Sequence, residues 1–236
     1  MFSRRLVAVA GAAAFVALAA GCGVQTLPSA NTRIKGGLAV RSDAKAEQLV
    51  AGLKATSASL KTFSGVVKFW ETDGKETSTN TAEIYMAMPD KLRANITEAS
   101  SAMKRGVKMV ALGDGKITAK LGFIKKTMSL DDPQVLSVRG WRLDQTDLAA
   151  IIKGATDAKA NARYAGAAII GGRQAEVIEL ANPAFLPGTT KQVLALDAQT
   201  FAPLKVEGFV GAQSVFRMEI QNPQLNPTLP GDIFKL

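Results

Sequence analysis

The chain has 236 residues, a formal net charge of +9 at pH 7, one cysteine and no histidine. The absence of histidine excludes Ser–His–Asp and Cys–His catalytic pairs and histidine-ligated metal centres. The sequence also contains no P-loop. Two carboxylates alone can hydrolyse a glycosidic bond, so a carboxylate-based hydrolase stays open as a third alternative. We expect a protein that is not an enzyme and that uses no cofactor and no metal.

The first residues have the pattern of an export signal. Arg4 and Arg5 precede an uncharged run, Leu6–Ala20, whose length is typical of a secretory signal peptide and too short to span a bilayer. Small residues then lead into the single cysteine, Cys22. This arrangement resembles the bacterial lipobox, which implies that residues 1–21 are cleaved and that the Cys22 sulfur carries a diacylglyceryl group. The alternative is an ordinary signal peptide with a cysteine nearby by chance.

Export and lipidation together predict where the protein is held. Two or more acyl chains anchor a protein stably, so we expect it at a membrane surface of the cell envelope, facing the periplasm from the outer membrane where the organism has one. Without residues 1–21 the net charge is +7. Export argues against a nucleic-acid partner. A basic exterior would instead face anionic lipid headgroups, unless it is simply a solvated surface.

The chain after Cys22 divides into a tether and one domain. Residues 22–41 lack periodicity and include Pro28 and two glycines, which predicts a flexible lipidated tether. Residues 42–236 are predicted to form the domain. It begins with an amphipathic helix, capped by Ser42 or Asp43 and ending near Thr62. The apolar face of this helix comprises Ala46, Leu49, Val50, Leu53 and Leu60.

From Phe63 onward the apolar period becomes two, which predicts strands. The first group comprises FSGVVKFW, TAEIYMAM, KLRANI, VKMVAL and KITAKL, the last two flanking a GDG turn. LDQTDLAAIIKG then predicts a short helix with Asp144 or Thr146 as its cap and Gly154 at its end. Strands resume with AAII, AEVIEL, QVLALD, LKVEGFV and SVFRMEI, and a proline-rich tail is expected to lie extended across the domain edge.

This order predicts an α+β fold. Consecutive strands joined by short turns indicate one curved antiparallel sheet of about 10–11 strands, an unclosed half-barrel. The N-terminal helix and the short lid helix would cover an apolar cavity on its concave side. The alternative is a closed up-and-down barrel of lipocalin type, which leaves the helices without a role.

Several motifs, in the same order, resemble the LolA/LolB superfamily of lipoprotein carriers, including the mycobacterial lipid-binding lipoproteins of the LppX/LprG type. They are LVAGLKATSASLKTFSGVVKF, YMAMPDKLRANI, VALGDGK, LALDAQTFAPLKVEGFV and NPTLPGDIFKL. The resemblance covers most of residues 45–236. It implies a half-barrel with a helical lid over a cavity that accepts acyl chains.

The alternating faces and the resemblance together predict which residues line such a cavity. They are Val67, Phe69, Ile84, Met86, Met88, Leu92, Ile96, Met109, Leu121, Trp141, Ile151 and Ile152. Methionine suits exchangeable ligands because its side chain is flexible and polarizable. The competing interpretation is that these residues form an ordinary packed core.

The expected function is therefore that of a membrane-anchored lipoprotein which binds lipid, or the acyl chains of lipoproteins, for transport or insertion in the cell envelope. Its partners would be that lipid, the membrane surface and a possible protein of an envelope transport system. The alternative is a sensor or structural lipoprotein that uses the same half-barrel to bind a protein partner. Basic residues such as Arg93, Lys104 and Arg105 would then matter more than the cavity.

Overall fold

A computed structural model describes residues 42–157, 162–181 and 186–236. The predicted signal peptide, Cys22 and the tether lie outside the described residues. The elements are α1 (Ser42–Ser59), β1 (Thr62–Thr72), β2 (Thr77–Ala87), β3 (Lys91–Ala99), β4 (Lys108–Ala111), β5 (Lys116–Leu121), β6 (Ile124–Ser129), α2 (Leu143–Thr146), α3 (Leu148–Asp157), β7 (Ala162–Ile170), β8 (Arg173–Ala181), β9 (Lys191–Asp197), β10 (Pro203–Val210) and β11 (Gln213–Leu225).

All the described strands belong to one antiparallel sheet of 11 strands, in the order β6-β5-β4-β3-β2-β1-β11-β10-β9-β8-β7. The chain runs outward from β1 to β6 and crosses through α2 and α3 to the opposite edge. It then returns from β7 to β11, which pairs with β1. The strands β6 and β7 form two separate edges, so the sheet is an open half-barrel and the alternative of a closed barrel is wrong.

The helices cover only part of the concave face. The apolar side of α1 is buried in the same core cluster as residues of β8 and β9, and α3 packs against α1. The close fit of α1 on the sheet depends on Gly52, because a Cβ there would lie 2.6 Å from the Phe201 ring. Thr56 Oγ1 also donates a hydrogen bond to Thr200 O at 2.7 Å. The sheet contacts of α1 are with β7 and β8, in the second half of the sheet, whereas α2 and only the start of α3 border the concave face of β1–β6, which we call the open half.

Three local predictions differ from the structure. The chain forms two helices after β6, and Asp147, rather than Asp144 or Thr146, caps α3 by accepting a hydrogen bond from Ala150 N at 2.8 Å. Gly154 does not end α3; it is buried inside the helix, where tertiary packing outweighs its low helix propensity. The first helix ends at Ser59, not near Thr62.

The other differences concern β6 and the tail. The strand β6 was missed because five of its six side chains are exposed, which removes the apolar alternation that identifies a strand. The tail reaches the edge strand β6, where Lys125 Nζ donates a hydrogen bond to Leu236 O at 3.1 Å, but it is not extended throughout. Arg93 of β3, inside the sheet, donates hydrogen bonds to Ile233 O at 2.7 Å and to Lys235 O at 3.1 Å, and the chain turns at residues 231–234.

Candidate functional site: an apolar cavity under the open half of the sheet

A cavity of about 660 Å³ lies against the concave face of the open half of the sheet, mainly on strands β1, β2 and β3 and on the neighbouring β11. Its size is within the range of pockets that hold small ligands, about 300–1,000 Å³. Because side chains alternate between faces of a strand, every second residue of four neighbouring strands points into it. These residues are Phe63, Val67 and Phe69 on β1, Ala82, Ile84 and Met86 on β2, Leu92, Ala94 and Ile96 on β3, and Phe216, Met218 and Ile220 on β11.

A loop and the helical region close a further side of the cavity, and the edge at β5 and β6 stays open. Trp141, whose indole packs edge-on against Phe216 with ring centroids 5.7 Å apart, covers the wall formed by β1 and β11. Leu143 and Leu148 contribute from the helical region, and Met109 from β4. The lining residues on β5 and β6 include exposed side chains, so the cavity opens to solvent at this edge. The exposed lining residues there are Met103, Leu121, Ile124, Lys126 and Gln134.

The structure brings together nine of the twelve residues that the sequence placed around a cavity. They are Val67, Phe69, Ile84, Met86, Leu92, Ile96, Met109, Leu121 and Trp141. Ile151 and Ile152 do not line it. They are buried in the core on α3, which packs against α1, and Leu148 at the start of α3 faces the cavity instead. Met88 also lies outside the cavity. Strand β2 ends one residue before it, at Ala87, and Met88 N donates a hydrogen bond to Lys61 O at 2.9 Å.

Sequence reasoning missed the contribution of β11. The alternation of Phe216, Met218 and Ile220 is visible in SVFRMEI, but no local signal says which strand lies beside it. The register Val67–Ile220 and Phe69–Met218 places this face next to that of β1. Phe63, Ala82 and Ala94 follow the period-two pattern of residues that were assigned inward, so the same signal could have found them.

One end of the cavity carries a buried carboxylate, Glu71, which is 8% exposed. Its Oε1 accepts hydrogen bonds from Ser137 Oγ at 2.7 Å and from Arg139 N at 2.9 Å. Burial raises the pKa of Glu71, while these bonds and the charges of Arg139 and Lys104 act in the opposite direction. Arg139 further donates to Thr72 O at 2.9 Å and lies 5.2 Å from the centre of the Trp141 ring. Glu71 therefore fastens the loop of residues 130–142 over this end.

A second carboxylate in the wall, Asp147, is the cap of α3. Burial raises the pKa of Asp147 to about 6, with a smaller contribution from the charge of Asp144. Both wall carboxylates accept backbone N–H groups, so each has a structural role. Within the ranges that the structure describes, no group of three or more metal-ligating side chains comes together.

The comparisons with known proteins concern the fold. No protein-family model matches the sequence, and no curated protein matches it. Among solved structures, an uncharacterized conserved protein from Thermus thermophilus aligns with a TM-score of 0.50 at 10% identity, over 81% of this chain and 93% of that one. A putative outer membrane lipoprotein-sorting protein domain from Vibrio parahaemolyticus aligns with a TM-score of 0.45 at 14% identity, over 82% and 97%. The Mycobacterium tuberculosis lipoprotein LppX gives 0.46 at 12% identity, over 80% and 99%.

At these identities the likeness concerns the fold alone. The structure confirms the predicted fold class, an open antiparallel half-barrel with an N-terminal helix and short helices. None of the helices in the described ranges has both the length and the apolar character needed to cross a bilayer.

Proposed function

We propose that this protein is a lipid-anchored carrier of the cell envelope, which holds acyl chains of a lipid or lipoprotein in its cavity during transport or insertion. The observation that carries the proposal is the cavity of about 660 Å³, whose sheet wall consists mostly of apolar side chains from β1, β2, β3 and β11. In this proposal residues 1–21 are removed and Cys22 holds the protein at the membrane.

The size and chemistry of the cavity suit an acyl chain. Burying one methylene contributes about 0.8 kcal/mol, so about ten methylenes contribute about 8 kcal/mol, which corresponds to micromolar affinity before ordering costs. Met86, Met109, Met128 and Met218 lie in the wall. Their flexible thioethers allow the wall to adapt to chains of different shape, and so to release them again.

Native mass spectrometry of the full chain, extracted gently from envelopes, tests this proposal. We expect lipid that co-purifies with the protein. The mature chain, residues 22–236 with Cys22→Ser, is the matched control: it should lack the lipid anchor but keep lipid in the cavity, because the cavity residues are unchanged. Repeated recovery of an empty, folded domain would contradict the carrier proposal and would leave the alternative, a half-barrel that binds a protein partner.

A further inference from the structure

Four large apolar side chains are exposed at the cavity mouth: Met103 (81%), Leu121 (43%), Phe123 (95%) and Ile124 (63%). We call these four residues the tip patch. Phe123 and Gly122 form the turn between β5 and β6, and Leu121 pairs with Ile124 across that turn. The loop that carries Met103 lies beside it, since a Cβ on Gly106 would be 3.7 Å from Leu121 Cδ1. The tip patch is thus one contiguous surface, unlike apolar residues scattered singly.

Basic residues surround the tip patch. Residues 101–130 contain seven lysines and arginines and one acid, Asp114, which lies in the β4–β5 turn at the other end of these strands. Lys120 pairs across the sheet with Lys108 on one side and with Lys125 on the other. Like charges placed opposite each other destabilise a sheet. Lys125 Nζ contacts Leu236 O at 3.1 Å, whereas Lys104, Arg105, Lys108 and Lys120 form no salt bridge within the described residues.

We propose that the tip patch docks on an anionic membrane surface, with the apolar side chains entering the headgroup region and the surrounding lysines and arginines contacting lipid phosphates. Apolar residues flanked by Lys and Arg are typical of surfaces that bind anionic membranes. The apolar side chains enter the boundary between headgroups and acyl chains, and the negative surface potential attracts the basic side chains. This contact is separate from the anchor on Cys22.

Docking would bring the cavity mouth to the lipid. Three residues of the tip patch, Met103, Leu121 and Ile124, also line the cavity. The basic residues Lys104 and Lys120 line it as well. An acyl chain could then pass between bilayer and cavity without crossing water. This use of the contact rests on the proposed function, whereas the docking itself does not depend on what the cavity holds.

The opposite edge of the sheet offers a matched control. Ile169, near the β7–β8 turn, is also exposed, at 66%. Its surroundings differ, because the nearby Arg173 donates to Asp197 Oδ2 at 2.7 Å and is thereby neutralised. Substitutions at Phe123 and Ile169 therefore remove an exposed apolar side chain from a basic and from a neutralised hairpin end.

The test is co-sedimentation of the mature chain, residues 22–236 with Cys22→Ser and without the signal segment, with vesicles of phosphatidylcholine plus phosphatidylglycerol, compared with phosphatidylcholine alone. We expect binding to the anionic vesicles that falls with salt. Phe123→Ser should weaken it about tenfold or more, since a buried Phe contributes about 1.5–3 kcal/mol, and Lys120→Gln should weaken it several-fold. Ile169→Ser should bind like the parent. Equal binding by Phe123→Ser, an equal loss in Ile169→Ser, or no preference for anionic vesicles would overturn the proposal.

Two further measurements separate the other outcomes. Phe123→Trp should keep vesicle binding and shift its fluorescence to the blue on anionic vesicles relative to the parent, which reports entry of the tip into lipid. A protein that dimerises through the tip patch instead, with Phe123→Ser restoring the monomer, would overturn membrane docking. If Phe123→Ser loses vesicle binding but still carries lipid in native mass spectrometry, the substitution has removed docking and left lipid binding in the cavity intact. Phe123-dependent vesicle binding by a protein that never carries lipid would leave docking intact and refute the carrier.

Discussion

Filling the cavity is the sharpest test of what it does, and Ala94 is the position for it. Ala94 lies buried in the middle of β3, pairs with Ile84 and Met109, and faces the cavity. Ala94→Phe places about six additional carbon atoms in that space, and we expect them to displace about as many methylenes of a bound acyl chain. At about 0.8 kcal/mol for each methylene, the loss is about 5 kcal/mol, or more than a thousandfold in Kd.

Titration of the delipidated protein with a fluorescent long-chain fatty acid measures this loss, and native mass spectrometry of envelope extracts measures it on the natural ligand. Ala167→Phe is the control, because Ala167 lies exposed on β7 at the opposite edge of the sheet. It adds the same ring away from the cavity and should leave binding unchanged.

The same variant separates a cavity from a packed core. Adding carbons to a filled core forces side chains apart and costs about 1–3 kcal/mol of the free energy of unfolding. In a cavity of about 660 Å³ the new ring has room, so the unfolding temperature should stay the same or rise. A folded Ala94→Phe protein that binds the fatty acid as the wild type does would refute the cavity as the lipid site. A strongly destabilised Ala94→Phe protein would show that the cavity has no space for the added ring.

Three further predictions concern the parts that hold the cavity wall. The pKa of Asp147 is about 6 in the folded protein and 3.8 as its ordinary value. The neutral carboxyl therefore makes its full contribution to the free energy of unfolding below pH 3.8, and this contribution is lost as the pH rises through about 6. Asp147→Asn should therefore match the wild type near pH 4 and be more stable by up to about 3 kcal/mol at about pH 8 in urea unfolding; a constant difference across pH would contradict this. Glu71→Ala removes the acceptor of Ser137 Oγ and Arg139 N, so it should cost about 1–3 kcal/mol and speed proteolysis within residues 130–142, with Glu71→Gln retaining much of the protection. Asn226→Ala loses bonds to Lys61 N at 2.6 Å, Thr62 N at 3.3 Å and Ser59 O at 3.1 Å, and its unfolding midpoint should fall by an amount equivalent to about 1–3 kcal/mol; no change would show that these contacts do not hold β11 beside the end of α1.

The sequence alone determined most elements and the inward faces of the first strands. Alternation along a strand is local, so Val67, Ile84 and Leu92 could be assigned to one face without knowledge of the rest of the chain. Helix α1 was found by the same reasoning with a longer period. Where the alternation is lost, as in the exposed strand β6, local reasoning also fails.

Only the tertiary structure decided which faces meet and how much space they leave. β11 pairs with β1 from more than 140 residues away, and nothing near Met218 indicates that Phe69 lies beside it. Ile151 and Ile152 have the apolar character of a cavity wall, but the docking of α3 on α1 buries them in the core and turns Leu148 to the cavity. The physical reason is that apolar burial has no direction of its own. A pattern along the chain says which side of an element leaves water, whereas the packing of distant elements determines whether that side meets another side chain or an open cavity.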